Sequence, residues 1–219
     1  NIGLLAVLGG SVLVAEPAAA LDIRYDKSLV TVGAGEIVDD TLLVAAETVL
    51  VKGNVTGDLL AAGQRIEIDG NVSGNLVAFA ETVIVRGTVG GSVLSAASRV
   101  ELRDAATGSD LWAAAETVTL DKESRVAGNV ALAGDKTIVE GSVGRDLYAM
   151  AETLEFDGRL GDNLEAFGNR IRLLDNAYIG GDARLRIDSE ANLHQAAGAQ
   201  VDGQIEFVAM PDTAADKNR

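Results

Sequence analysis

The chain has no cysteine, which excludes disulfides, thiolate metal sites and thiol catalysis and leaves the redox compartment open. One histidine, His194, is present in 219 residues, so a Ser-His-Asp arrangement or a histidine metal centre has almost no material. Prolines number two and aromatics make up 4%, too few for a large aromatic core. Positive charge is scarce as well: 18 Lys and Arg face 33 Asp and Glu, a formal net charge of -15. Such a charge repels phosphate backbones and anionic headgroups, and nucleic acid is not an expected partner. The glycine runs "VGG" at 89–91 and "IGG" at 179–181 have no Walker-type lysine and no helix after them. No nucleotide, cofactor or metal is expected. Acidic neighbours such as Asp39 and Asp40 can be imagined in sugar chemistry, but nothing singles out one cleft, so no enzyme and no catalytic residue are expected.

Long apolar runs are confined to the N-terminus. "NIGLLAVLGGSVLVAEPAAA" at 1–20 has an apolar stretch followed by Pro17 and three alanines, like the core and cleavage region of a secretory signal peptide. It is short for a membrane span. The expectation is export to the periplasm or cell envelope, with a retained hydrophobic anchor or a buried cap strand as the alternative. Residues 21–36 are expected as a lead-in or cap, and the polar stretch 209–219 as a disordered tail.

What the chain has in abundance is glycine, 25 residues, among small and β-branched side chains in a repeat. "VTGDLLAAGQRIEIDGN" (55–71), "VSGNLVAFAETVIVRGT" (72–88) and "VGGSVLSAASRVELRDA" (89–105) share one frame. Other copies start at Val38, Ala106, Val126, Val143, Leu160 and Ile179. Position 5 is Leu42, Leu59, Leu76, Val93, Leu111, Val130, Leu147 and Leu164. Apolar residues at positions 5, 7 and 9, and again at 12 and 14, follow the two-residue period of a strand. One copy has too few apolar side chains to offset the cost of ordering its backbone, so copies must stack. The spacing predicts an all-β fold, a single-stranded parallel β-helix (β-solenoid) of about nine rungs over 37–208, with glycines near positions 3 and 16 serving corners that need positive φ or close backbone approach. A β-sandwich with "DG" hairpins at 69–70, 157–158 and 202–203 is the alternative. It gives no reason for identical columns.

"AET" recurs at Glu47, Glu81, Glu116 and Glu152, and the copies between carry Arg65, Arg99, Lys136 and Arg170 one position later. Strict stacking would set like carboxylates about 4.8 Å apart. Alternation spaces them and is expected to build a ladder of alternating sign that fixes register. The position-4 column of Asp58, Asn75, Ser92, Asp110, Asn129, Asp146, Asn163 and Asp182 is read as turn-forming.

The outward positions of the strand over positions 5–9 should be polar if it faced water. Instead they carry Leu43, Leu60, Val77, Leu94, Trp112 and Tyr148 at position 6, with Phe79, Met150 and Phe167 at position 8. This apolar side would cover roughly 600 Å² at standard strand spacing, at or beyond what a soluble monomer leaves bare. It is the expected interaction face, toward another protomer, a membrane segment or a cell-envelope partner. The alternatives are scattered surface apolars or cover by residues 21–36.

The repeated "V-x-G-[DN]-L-x-A" followed by "V-x-V-x-G" resembles the bactofilin family of polymer-forming bacterial cytoskeletal proteins, over about 37–187. The resemblance implies a right-handed β-helix that polymerises end to end without a nucleotide and scaffolds cell-envelope components; the N-terminal segment points toward exported or membrane-associated relatives. A secreted solenoid that binds or cleaves polysaccharide, or an adhesin, is the alternative function.

Overall fold

The computed structural model describes residues 21–209. They form a parallel β-solenoid. A regular coil contributes one long strand and one short strand, the long strand being broken in two in three of the coils, and like strands of successive coils pair in parallel into two sheets of 14 and 10 strands. The short strands run from Ile37–Val38 to Gln200–Val201. Their single stack makes about ten coils, one more than the spacing predicts. The difference lies toward the C-terminus, where Gln200–Val201 pairs in parallel with Tyr178–Ile179 as a tenth short strand; at the other end Leu21–Tyr25 and Leu29–Val32 pair in parallel with Thr41–Val51 and extend the long-strand sheet ahead of the first short strand.

The register is set by the hydrophobic columns. Leu42 pairs with Leu59, Leu59 with Leu76, Leu76 with Val93, and so on through Leu147 with Leu164. All eight side chains of this column are buried to 1% exposure or less. Asp58 to Asn75 spans 17 residues, Asp110 to Asn129 spans 19, and the last described coil stretches this to 22. The extra residues are taken up in loops while the columns stay aligned.

Long strands such as Leu111–Leu120 bury alternate residues at Leu111, Ala113 and Ala115, then break phase and bury Val118 and Leu120. The inward positions are therefore three residues apart once per coil, and the strand turns its corner there. Position 10, which holds the recurrent glutamate, falls at this break.

Two expectations need correction. The fifth copy's inward residue is Thr107, which pairs with Val89 and Val126 and is buried, while Ala106 is exposed. The extra residue before this strand admits either placement, and the ladder decides. The stacking glycines do not work through left-handed backbone: no described glycine has positive φ. A Cβ on Gly87 would lie 1.8 Å from the carbonyl oxygen of Gly70, so close backbone approach is the requirement. In the same column Asp104 has φ 50, and its N–H donates to Asp121 at 3.1 Å.

Candidate interaction surfaces

The outward columns of the first long half-strand follow the same register. One column runs Ile23, Leu43, Leu60, Val77, Leu94, Trp112, Ala131, Tyr148. The other runs Tyr25, Ala45, Ala62, Phe79, Ala96, Ala114, Ala133, Met150, Phe167. Tyr25 is 81% exposed, Met150 63%, Phe79 49%, Tyr148 46%, Phe167 44% and Trp112 43%. Leu43, Leu60 and Leu94 are exposed as well, and Val77 is half-buried. The nine residues singled out in sequence thus share one side. Ile23 and Tyr25 extend it into a coil whose repeat signature is too degenerate to place by spacing.

Alanines leave hollows between the large side chains. One of about 320 Å³ is bordered by Tyr25, Leu43, Leu60 and Phe79. A second of about 290 Å³ is bordered by Leu94, Trp112, Tyr148 and Met150. The strip ends in charge toward the C-terminus, where Arg184 pairs with Glu206 at 2.8 Å and Arg186 with Glu165 at 3.1 Å.

The charged ladder takes a different form from the one expected. Thr48, Arg65, Thr82, Arg99, Thr117, Lys136, Thr153 and Arg170 do stack in register. Arg65, Arg99 and Lys136, however, pair with carboxylates other than Glu47, Glu81, Glu116 and Glu152. Arg65 binds Glu67 at 2.6 Å, Arg99 approaches Glu101 at 4.0 Å, and Lys136 reaches Glu155 at 3.6 Å. The reason is the strand period: positions 11 and 13 share a face, whereas the position-10 glutamates lie at the corner and project elsewhere. Each position-13 glutamate collects a second cation, Arg86 at 2.9 Å, Arg103 at 2.5 Å and Arg172 at 3.0 Å respectively. Arg86, and behind it Arg65, hold the Glu67 carboxyl below its ordinary range against the opposing pull of partial burial.

A second ladder was not anticipated. Each position-4 side chain accepts the backbone N–H of the corresponding residue one coil later: Asn75 N–H donates to Asp58 at 2.7 Å, Ser92 to Asn75 at 2.9 Å, Asn163 to Asp146 at 3.0 Å, and Asp182 to Asn163 at 2.9 Å. The asparagines also donate their side-chain amides to the preceding aspartate, Asn75 to Asp58 and Asn163 to Asp146, both at 3.0 Å. Mixing Asn with Asp here supplies donors and keeps carboxylates apart, which a turn preference alone does not explain.

The ends of the core differ. In the first coil Asp22 and Arg24 occupy the places above Leu42 and Val44. Arg24 bonds Asp22 at 2.8 Å and also Glu36. In the last described coil Ile205 and Phe207 continue the column above Ala183 and Leu185, 39% and 37% exposed.

Among the described residues, no helix is long and apolar enough to cross a membrane. The segment expected as a signal peptide, 1–20, and the tail from 210 onward lie outside the described residues. Comparison of the chain with protein-family models, with curated proteins and with solved structures yields no match.

Proposed function

We propose that the chain is a non-enzymatic structural scaffold of the bacterial cell envelope, bactofilin-like in its repeat, which self-associates and docks partners along its apolar side. One observation carries this reading: two adjoining outward columns, from Ile23 and Tyr25 to Tyr148 and Phe167, are apolar over coil after coil. The geometry is that of a sheet face built to be covered, and a soluble chain seldom leaves such an area to water. A second copy of the chain is the occupant of choice, since identical columns on two rods present the same axial repeat to each other. Membrane segments and envelope proteins fit the same chemistry. The apolar N-terminal segment supports the envelope as the place of action.

End-to-end association, which the resemblance implies, is supported at the C-terminal end by Ile205 and Phe207. At the other end the Asp22–Arg24–Glu36 cluster sets charge where an incoming apolar core would need to continue, a device that discourages edge growth.

Sedimentation velocity of the full chain over a wide concentration range, with negative-stain microscopy, tests the reading. Wild type assembles as concentration rises. The double substitution Trp112→Ser, Tyr148→Ser, at outward sites, retains its β-sheet circular dichroism and loses lateral assembly. A monomeric wild type, or a folded variant that assembles unchanged, overturns the proposal.

A further inference from the structure

The short-strand sheet carries a trough that none of the sequence motifs anticipates. Its floor is the column following the buried valines: Gly90, Gly108, Ala127, Gly144 and Gly161. The same column bears Thr56 and Ser73 in earlier coils and Asp202 in the last. The floor is therefore bare only over the middle coils and closed at both ends. Along one side stand Arg125, Ser142, Arg159 and Tyr178, in register on successive coils. The hollow is shallow and open to solvent, with a volume of about 580 Å³.

In a chain with net charge -15, the arginines of the long-strand sides are largely spoken for by carboxylates, as Arg65, Arg86, Arg103 and Arg172 show. Arg125 and Arg159 are exposed and make no ion pair among the described residues. Arg159 is nevertheless held in place. Its guanidinium lies 4.8 Å over the Tyr178 ring, and Tyr178 is itself tied down, donating its hydroxyl to Asp202 at 2.6 Å. An arginine fixed on an aromatic face with its N–H edge free is organised for an anion before the anion arrives.

We infer that this trough binds an extended acidic polysaccharide, a uronic-acid polymer lying along the solenoid axis. Arg125 and Arg159 are two coils apart, about 10 Å at standard strand spacing, so the wall repeats its positive charge along the axis as such a polymer repeats its carboxylates. The floor offers C–H surface at which sugar rings can lie flat. A peptide strand finds less: the short strands already pair with neighbours above and below, so the floor has no backbone donors or acceptors left for β-addition. Nucleic acid finds no base-stacking platform here, since Tyr178, the aromatic of the wall, is already covered by Arg159. This inference is independent of the scaffold reading, because the trough and the apolar strip share no residue.

Affinity electrophoresis and calorimetry of the full chain with polygalacturonate test it, with dextran, poly-glutamate and an oligothymidylate as the other arms. Wild type binds polygalacturonate, more weakly as salt rises, and binds the other three at least tenfold more weakly. Arg125→Gln with Arg159→Gln lowers that affinity at least tenfold. Ala127→Phe, which fills the floor and leaves the charges in place, does the same, and Arg170→Gln on another side does not. Thermal melts confirm that each variant is folded. No binding by wild type, equal binding of poly-glutamate or oligothymidylate, or binding indifferent to both trough variants overturns the inference.

Discussion

Thr137 and Thr107 each place a hydroxyl in a column otherwise filled by aliphatics, fully buried and without a hydrogen-bond partner. A buried hydroxyl left unpaired costs about 1–3 kcal/mol. Thr137→Val, which sits between Val118 and Leu154, is therefore expected to stabilise the fold by about 1 kcal/mol or more, read as a rise in the denaturant midpoint at unchanged slope. Gly87→Ala acts in the opposite sense. Its methyl would collide with a backbone carbonyl rather than a side chain that can swing away, and a loss of about 1–3 kcal/mol is expected in the same measurement. At this scale the sequence is legible wherever spacing is regular. Leu59, Leu76 and Val93 are placed by counting alone. Counting fails at Thr107, where one extra residue offers Ala106 and Thr107 as equal candidates and hydropathy favours the wrong one. Only the pairing of Thr107 with Val89 resolves it.

At the scale of elements, stability comes from ladders that tie each coil to the next. Asn163 both accepts from Asp182 and donates to Asp146. Asn163→Asp removes the donor and stacks three carboxylates on consecutive coils, a cost of about 1–2 kcal/mol at neutral pH. Because like charges raise the folded-state pKa of the introduced carboxyl, that cost is present at high pH and fades as pH falls through the raised value. Urea melts at pH 7 and pH 4 should show the gap between variant and wild type narrowing. The first coil responds to acid the other way. Asp26 is held below its ordinary range by the N–H groups of Ser28 and Leu29, and Glu36 by the N–H of Gly33 and then by Arg24. Depressed carboxylates stabilise above their unfolded pKa and lose that contribution as pH falls through the folded value. Amide-exchange protection at Ser28, Leu29 and Gly33 should accordingly fall below about pH 4 before that of the central coils. The two ladders also show why sequence alone misassigns polar columns. Residue types reveal that Glu, Arg and Asn recur, but which recurring side chains meet depends on the corner that reverses the inward phase, and no composition signal marks it.

The whole molecule behaves as a stack in which each coil contacts its neighbours and little else, so its thermodynamics should be near additive along the axis. The two-coil alternation adds a condition. Excising 72–88 joins like positions but sets Arg65 directly beside Arg99, whereas excising 55–88 sets Thr48 beside Arg99 and keeps cation and threonine alternating. Calorimetry should find the longer deletion at least as stable per remaining residue as the shorter. The apolar strip was legible because it needs only the outward phase of a strand. The trough was not, since its wall and floor belong to columns whose residue types change from coil to coil.

Vertical pairing, finally, decides how this rod yields to force. The first and last described coils sit at opposite ends of the axis, and tension between them loads one terminal coil at a time while the interior stays clamped. Single-molecule pulling should then show no one large rupture but a train of small ones. Each regular coil of 17 residues would release about 60 Å of slack, and coils with inserted loops would release more.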